Sequence, residues 1–319
     1  MRKHCGMALA LLGASFMGVT MNEIKTIVWS RGPDVPLPRG GYGMAWHDQG
    51  LVLAGGTFWR DGKKLWTDDV SSFDPKLNRW SGMKPLPRPI AYGSLVELGG
   101  SLYLLGGCDD RQVYRDLLRF RDNRWTRIGE IPEPLVYSAA AVLDGRIYQV
   151  AGSYDINDLT TGTRKTWTYD PVSGQWSEGP AVPGPPRLLH VLAALGDSLY
   201  LFGGCTQKPG GTLTDLDDAY RLRKGATRWE TIRSLPLPLR AAGIAAADGS
   251  IYIFGGHGVK FLDEVYRYDA GRNNYTRVSR IPVPLADTKF VFGDGRFYGA
   301  TGEDAGGSRF PGLLIGRRE

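Results

Sequence analysis

Six times along the chain an apolar run ends in two small residues: LVLAGG at Gly55 and Gly56, LYLLGG at Gly106 and Gly107, IYQVAG at Ala151 and Gly152, LYLFGG at Gly203 and Gly204, IYIFGG at Gly255 and Gly256, and FYGATG at Thr301 and Gly302. Successive copies lie 45 to 52 residues apart. A period in that range means repeated supersecondary units, none of which can bury its apolar face without a neighbour. A second marker keeps step with the first. Trp29, Trp80, Trp125, Trp176, Trp229 and Tyr275 each stand 26 or 27 residues before the next small pair.

Between the markers run two further shared pieces. SSFDP, TWTYDP or VYRYDA precedes the aromatic, and a proline-rich turn follows it: PLPR, IPEPL, GPPR, PLPLR or IPVPL. Each unit therefore predicts four short strands. An inner strand follows the proline turn, a second ends at the small pair, a third carries the Tyr-Asp type of pair, and an outer strand carries the aromatic. With 44 Gly, 20 Pro, nine Trp and 15 Tyr spread over 319 residues, the composition fits short strands and tight turns rather than long helices. Glycine at the pair allows a sharp exit and a close approach of neighbouring backbone. The aromatics supply large apolar plugs.

The diglycine strand, the phased aromatic and the period near 50 residues together resemble the kelch repeat, and the resemblance covers essentially the whole chain beyond residue 20. It implies an all-β, six-bladed kelch-type β-propeller over residues 21–319 as a single domain. The first aromatic strand, IKTIVWS, precedes any small pair, while the last unit stops after GLLIG with no aromatic strand behind it. The two half-units complete one blade. The segment from Ile24 to Ser30 is thus expected to form the outer strand of the last blade beside residues 312–316, closing the ring.

Residues 1–20 read as a secretory signal, with Arg2, Lys3 and His4 before the apolar run MALALLGASFMGV, too short to span a membrane. The expected location is periplasmic or secreted, and cytoplasmic if translation starts at Met21. Cys108 and Cys205 directly follow small pairs two units apart, too far for a disulfide, and read as free, partly buried thiols. The formal charge of +6 comes from Lys and Arg interleaved with Asp and Glu, with no basic block. That excludes a nucleic-acid partner and leaves at most a preference for small anions.

Ligand sites of propellers favour the mouth where the loops after the small pairs and the proline turns gather. Candidate binding residues there are Asp109, Tyr154 and His257 after small pairs, and Arg39, Arg88, Arg187 and Arg240 after proline turns, with Tyr92, Tyr137 and His190 nearby. The repeated arginines have a second reading, in which they bind the neighbouring turns. The last unit differs from the others in reading TGEDAGGSRFPG after its pair, with Glu303 six residues ahead of Arg309.

This pattern resembles the bacterial N-acetylneuraminate (sialic acid) mutarotase family, exported six-bladed kelch proteins with a Gly-Glu, five residues, then Arg pattern after a blade's second strand. Gly302, Glu303 and Arg309 match it, although in the family the motif lies in an interior blade. The resemblance implies an isomerase in which Glu303 and Arg309 are catalytic, the carboxylate relaying protons at the anomeric centre and the guanidinium holding the sugar's acidic group. His257 is a further proton carrier on this reading. A small sugar, sialic acid first among them, is the implied partner, with no cofactor and no metal, and a homodimer stays open. Two alternatives stand: a non-catalytic exported propeller binding carbohydrate or protein, and a galactose-oxidase-like copper enzyme. The second lacks a metal ligand set, since His47, His190 and His257 are the only histidines beyond the leader.

Overall fold

The computed structural model of the chain describes residues 26–304 and 306–319. The expected leader lies outside the described residues. Six four-stranded antiparallel sheets form six blades, each ordered from an inner to an outer strand as the repeat predicts. Blade 1 runs Gly43–His47, Gly50–Ala54, Val70–Asp74 and Arg79–Gly82; blade 2 runs Ser94–Leu98, Ser101–Leu105, Asp116–Arg121 and Arg124–Glu130. Blades 3, 4 and 5 start at Ala139–Leu143, Val191–Leu195 and Gly243–Ala247 and repeat the pattern.

Blade 6 is built from both ends of the chain. Its inner strands are Lys289–Gly293, Arg296–Ala300 and Leu313–Arg318, and its outer strand is Ile27–Gly32. Ile27 lies opposite Arg318 and Gly32 opposite Leu313. The closing strand thus ends two residues later than the sequence implied, because pairing continues past Ser30 until Pro33 removes a donor.

The apolar core is divided into six clusters, each wedged between two neighbouring blades. The cluster between blades 6 and 1, for example, joins Tyr298, Ala300 and Leu313 to Leu51, Leu53 and Phe73. Most of the phased aromatics do more than fill these wedges, for they tie their blade to the outer strand or turn of the one before. Trp80 Nε1 donates to Pro33 O at 3.1 Å, Trp125 to Lys84 O at 3.1 Å, Trp229 to Pro180 O at 2.9 Å, and the Tyr275 hydroxyl to Arg233 O at 2.7 Å.

The small pairs owe their glycines to proximity. The second member takes φ of +88° to +125° at all six positions. A Cβ on Gly256 would sit 3.0 Å from Arg240 O, and one on Gly204 2.7 Å from Leu188 O. That closeness lets the residue after each pair bridge to the segment just before the inner strand: Thr57 to Gly40, Cys108 to Ala91, Ser153 to Val136, Cys205 to Leu188, His257 to Arg240, and Glu303 to Ala286. Six equivalent residues are thereby set around one mouth of the channel. Cys108 and Cys205 are both free and fully buried, more so than the sequence implied, and burial pushes each thiol up to about 12.

Candidate functional site

One residue after each of those bridge partners, the chain turns into the left-handed region: Gly41, Tyr92, Tyr137, Leu189, Ala241 and Asp287, with φ between +50° and +63°. Backbone hydrogen bonds join them head to tail. Tyr92 N donates to Gly41 O, Tyr137 N to Tyr92 O, Leu189 N to Tyr137 O, Ala241 N to Leu189 O, and Asp287 N to Ala241 O, at 2.6 to 3.2 Å. The sixth link differs: Gly41 N donates to the side chain of Asp287, at Oδ2. This girdle narrows the channel and forms the floor of a mouth cavity.

The cavity holds about 240 Å³, and its lining combines the polar residues Arg240, His257, Asp287, Glu303 and Arg309 with Trp59, Lys64, Tyr92, Tyr137 and Leu159. Trp59 and Lys64 come from an extra two-stranded ribbon of blade 1, Thr57–Arg60 with Lys63–Trp66. The Lys64 ammonium lies 5.0 Å from the Tyr92 ring centre. Partial burial, with Arg309 nearby, lowers its proton affinity.

Glu303 and Arg309 meet because their loop folds back on itself. Phe310 N donates to Gly302 O at 2.9 Å, and the buried Phe310 ring anchors the return. Arg309 Nη1 then donates to Glu303 Oε1 at 3.1 Å and to Ser308 O at 2.9 Å. The Arg309 side chain is only 7 % exposed and that of Glu303 31 %. Arg309 Nε has no hydrogen-bond partner, and Nη2 donates to nothing among the described residues. Gly40 leaves space for it, since a Cβ there would sit 2.8 Å from Nε. Nε is buried against Gly40, so the donor the guanidinium has left for an anion is Nη2.

The other residues predicted from the sequence divide sharply. Arg240 and His257 line the cavity. Arg240 is held by an ion pair with Asp215, and burial, then the Arg240 charge, keeps His257 below the ordinary imidazole value. Arg39, Arg88 and Arg187 do not line it. Arg39 is fully buried and donates to Leu37 O at 2.9 Å, to Asp69 O at 3.0 Å and to the Asp69 carboxylate. Arg187, also fully buried, grips Asp218 with both nitrogens at 2.6 and 2.8 Å. Arg88 pairs with Asp116 and stacks 3.9 Å from the Tyr114 ring centre. These three take the turn-binding role. Asp109 accepts from the backbone of Arg111 and Gln112, Tyr154 donates to Glu133 at 2.8 Å, and neither lines the cavity.

Asp287, Lys64 and Leu159 were absent from the sequence candidates. Asp287 was accessible in principle, because aligning the six proline turns on their left-handed residue puts it in series with Tyr92 and Tyr137. Among the described residues no group of three or more His, Cys, Asp or Glu could hold a metal, and no helix is long and apolar enough to cross a membrane.

Six blades, each with a strand ending in a pair of small residues, set around a channel with a charged mouth, define a kelch propeller with a small polar pocket. Residues 17–204 match the KLHDC2/KLHL20/DRC7 Kelch-repeats domain and residues 238–280 the Kelch motif, so the chain belongs to the kelch-repeat family. It is similar to Kelch-like protein 35 of Mus musculus, 27% identical over 208 residues, covering 65% of this chain and 25% of the relative. It is 25% identical to Beta-scruin of Limulus polyphemus over 234 residues, covering 73% of this chain and 20% of the relative. N-acetylneuraminate epimerase of Haemophilus influenzae (strain PittEE) is 34% identical over 106 residues, covering 31% and 27% of the two chains. The chain thus spans about a quarter of the length of these curated relatives. The solved structure titled "Structure of YjhT" superposes with a TM-score of 0.75 at 16% identity, covering 89% of this chain and 96% of that one, which shows a shared fold.

Proposed function

We propose that the protein is a mutarotase that interconverts the anomers of an acidic sugar, N-acetylneuraminate or a close relative. The observation that carries this reading is the Arg309–Glu303 pair lining a cavity of monosaccharide size. A sialic acid bears a carboxylate on its anomeric carbon. With that carboxylate on Arg309, the anomeric hydroxyl lies within reach of a carboxylate 3.1 Å from the same guanidinium. Glu303 takes the hydroxyl proton as the ring opens and returns it to the carbonyl oxygen as the ring closes on the other face. Trp59, Tyr92 and Tyr137 offer apolar and aromatic surface to the remaining sugar. The partial relative named N-acetylneuraminate epimerase supports the same choice of substrate. The proposal includes export, with residues 1–20 as a removable leader.

The test follows freshly released α-N-acetylneuraminate by proton NMR with catalytic amounts of protein. Relaxation well above the spontaneous rate is expected, lost in Glu303→Gln. An unchanged rate with a shifted final anomer ratio at stoichiometric protein would instead identify a sugar-binding propeller.

A further inference from the structure

Opening a pyranose needs two proton transfers at once: one off the anomeric hydroxyl and one onto the ring oxygen. Glu303 accounts for the first. The fold supplies a second carboxyl group close by. Ala286 N donates to Glu303 O at 2.9 Å and Glu303 N to Ala286 O at 2.7 Å, so Asp287 and Glu303 leave the backbone on adjoining strands of one bridge and line the same cavity. Asp287 Oδ2 is fixed by Gly41 N. Oδ1 accepts no hydrogen bond among the described residues and has Lys289 Nζ at 4.0 Å as its ion-pair contact.

We propose that Asp287 is the second catalytic residue of this site, the acid that protonates the ring oxygen while Glu303 takes the anomeric proton; this rests on the mutarotase reading. The step balances without a co-reactant. The anomeric O–H proton passes to Glu303, the bond from the anomeric carbon to the ring oxygen breaks, and that oxygen takes the Asp287 proton, leaving an open-chain keto acid. After the carbonyl turns, the hydroxyl attacks its other face and gives its proton to Asp287, and Glu303 returns its own to the carbonyl oxygen.

The two carboxyls sit in different surroundings. Glu303 is partly exposed and ion-paired with Arg309. Asp287 is 13 % exposed at the floor, where loss of water raises its proton affinity, opposed by Lys289, Arg309 and the Gly41 hydrogen bond and aided by Glu303. Tyr42, Tyr92, Tyr137 and Lys64 complete the titratable groups facing it. His257 suits the acid role less, because burial and Arg240 leave it neutral near pH 7.

Asp287→Asn keeps an acceptor for Gly41 N, whereas Asp287→Ala removes it. Both are compared with wild type for mutarotation of α-N-acetylneuraminate from pH 5 to 9, for sugar affinity by calorimetry and for melting temperature. Asp287→Asn is expected to bind the sugar within about threefold of wild type and melt normally, yet turn over about 100-fold more slowly and lose the alkaline limb of the kcat/KM profile. Wild-type rates in Asp287→Asn, with only Asp287→Ala impaired, would reduce Asp287 to a brace for the girdle and overturn the inference while leaving the mutarotase reading intact. No acceleration by the wild type would overturn both. Should neither variant fold, the wild-type profile decides: an alkaline limb matching a carboxyl signal that titrates in carbon NMR supports the acid, and its absence rejects it.

Discussion

The Trp29 indole donates to Ser279 Oγ at 3.1 Å, and Ser279 Oγ donates in turn to Ile27 O at 2.8 Å, joining blades 5 and 6 across some 250 residues of chain. The Trp29 ring also meets Phe254 and Phe290 edge-on, at 6.1 and 5.8 Å between centres. Trp29→Ala should therefore cost about 3 kcal/mol and Ser279→Ala about 1 kcal/mol in urea unfolding. Deleting residues 21–32 should abolish cooperative unfolding, and a deletion variant that melts like the full chain would refute ring closure by this strand.

Gly256 is the sharpest test of the small pairs. Its φ of +104° and the 3.0 Å approach of Arg240 O predict that Gly256→Ala costs about 2 kcal/mol or more. Gly82, in an outer strand where an added methyl would meet nothing within 4 Å, should accept Ala with little change. Chemical denaturation of the two variants side by side checks the contrast.

Acid stability should depend on His190, which lines the channel below the girdle at 5 % exposure. Neither ring nitrogen makes a hydrogen bond of good geometry among the described residues, and burial, then the Arg187 charge, pushes it down to about 3. The unfolded chain takes up this proton near pH 6.5, whereas the folded protein resists it, so stability falls as pH drops below 6.5 and keeps falling toward 3. Between pH 5.5 and 4 the loss attributable to His190 approaches about 1.4 kcal/mol per pH unit. His190→Gln should flatten the slope of unfolding free energy against pH in that window, whatever its effect at pH 7.

Arg309→Lys keeps the charge and loses the fork. On the mutarotase reading it should raise KM for N-acetylneuraminate about tenfold or more, because a lysine cannot hold Glu303 and a substrate carboxylate together in the guanidinium's fixed plane. An uncharged sugar such as galactose, if turned over at all, should show no such penalty. Steady-state kinetics on both sugars reads the difference.

The blades and their closure were legible in the sequence because both depend on phase: one small pair and one aromatic per unit, and half a unit left over at each end. Glu303 and Arg309 stood out because only the last unit carries such a loop. The four arginines were not separable in the same way. Arg39 and Arg187 precede their left-handed residue by two positions and Arg240 by one, so side chains alternating along the backbone send the first two into the turn and the third into the cavity. The proline turns hide that offset, since their lengths vary while their composition does not. Asp287 escaped for the same reason.

The girdle's five main-chain links are indifferent to which side chain each residue bears, so the floor of the mouth is a mosaic of interchangeable tiles set in a fixed frame. Tyr92, Tyr137, Leu189 and Ala241 could be exchanged one by one to recolour the pocket for a new ligand while the frame holds. Asp287 alone is both tile and mortar. Any descendant of this scaffold that loses that carboxylate would have to find another acceptor for Gly41 N.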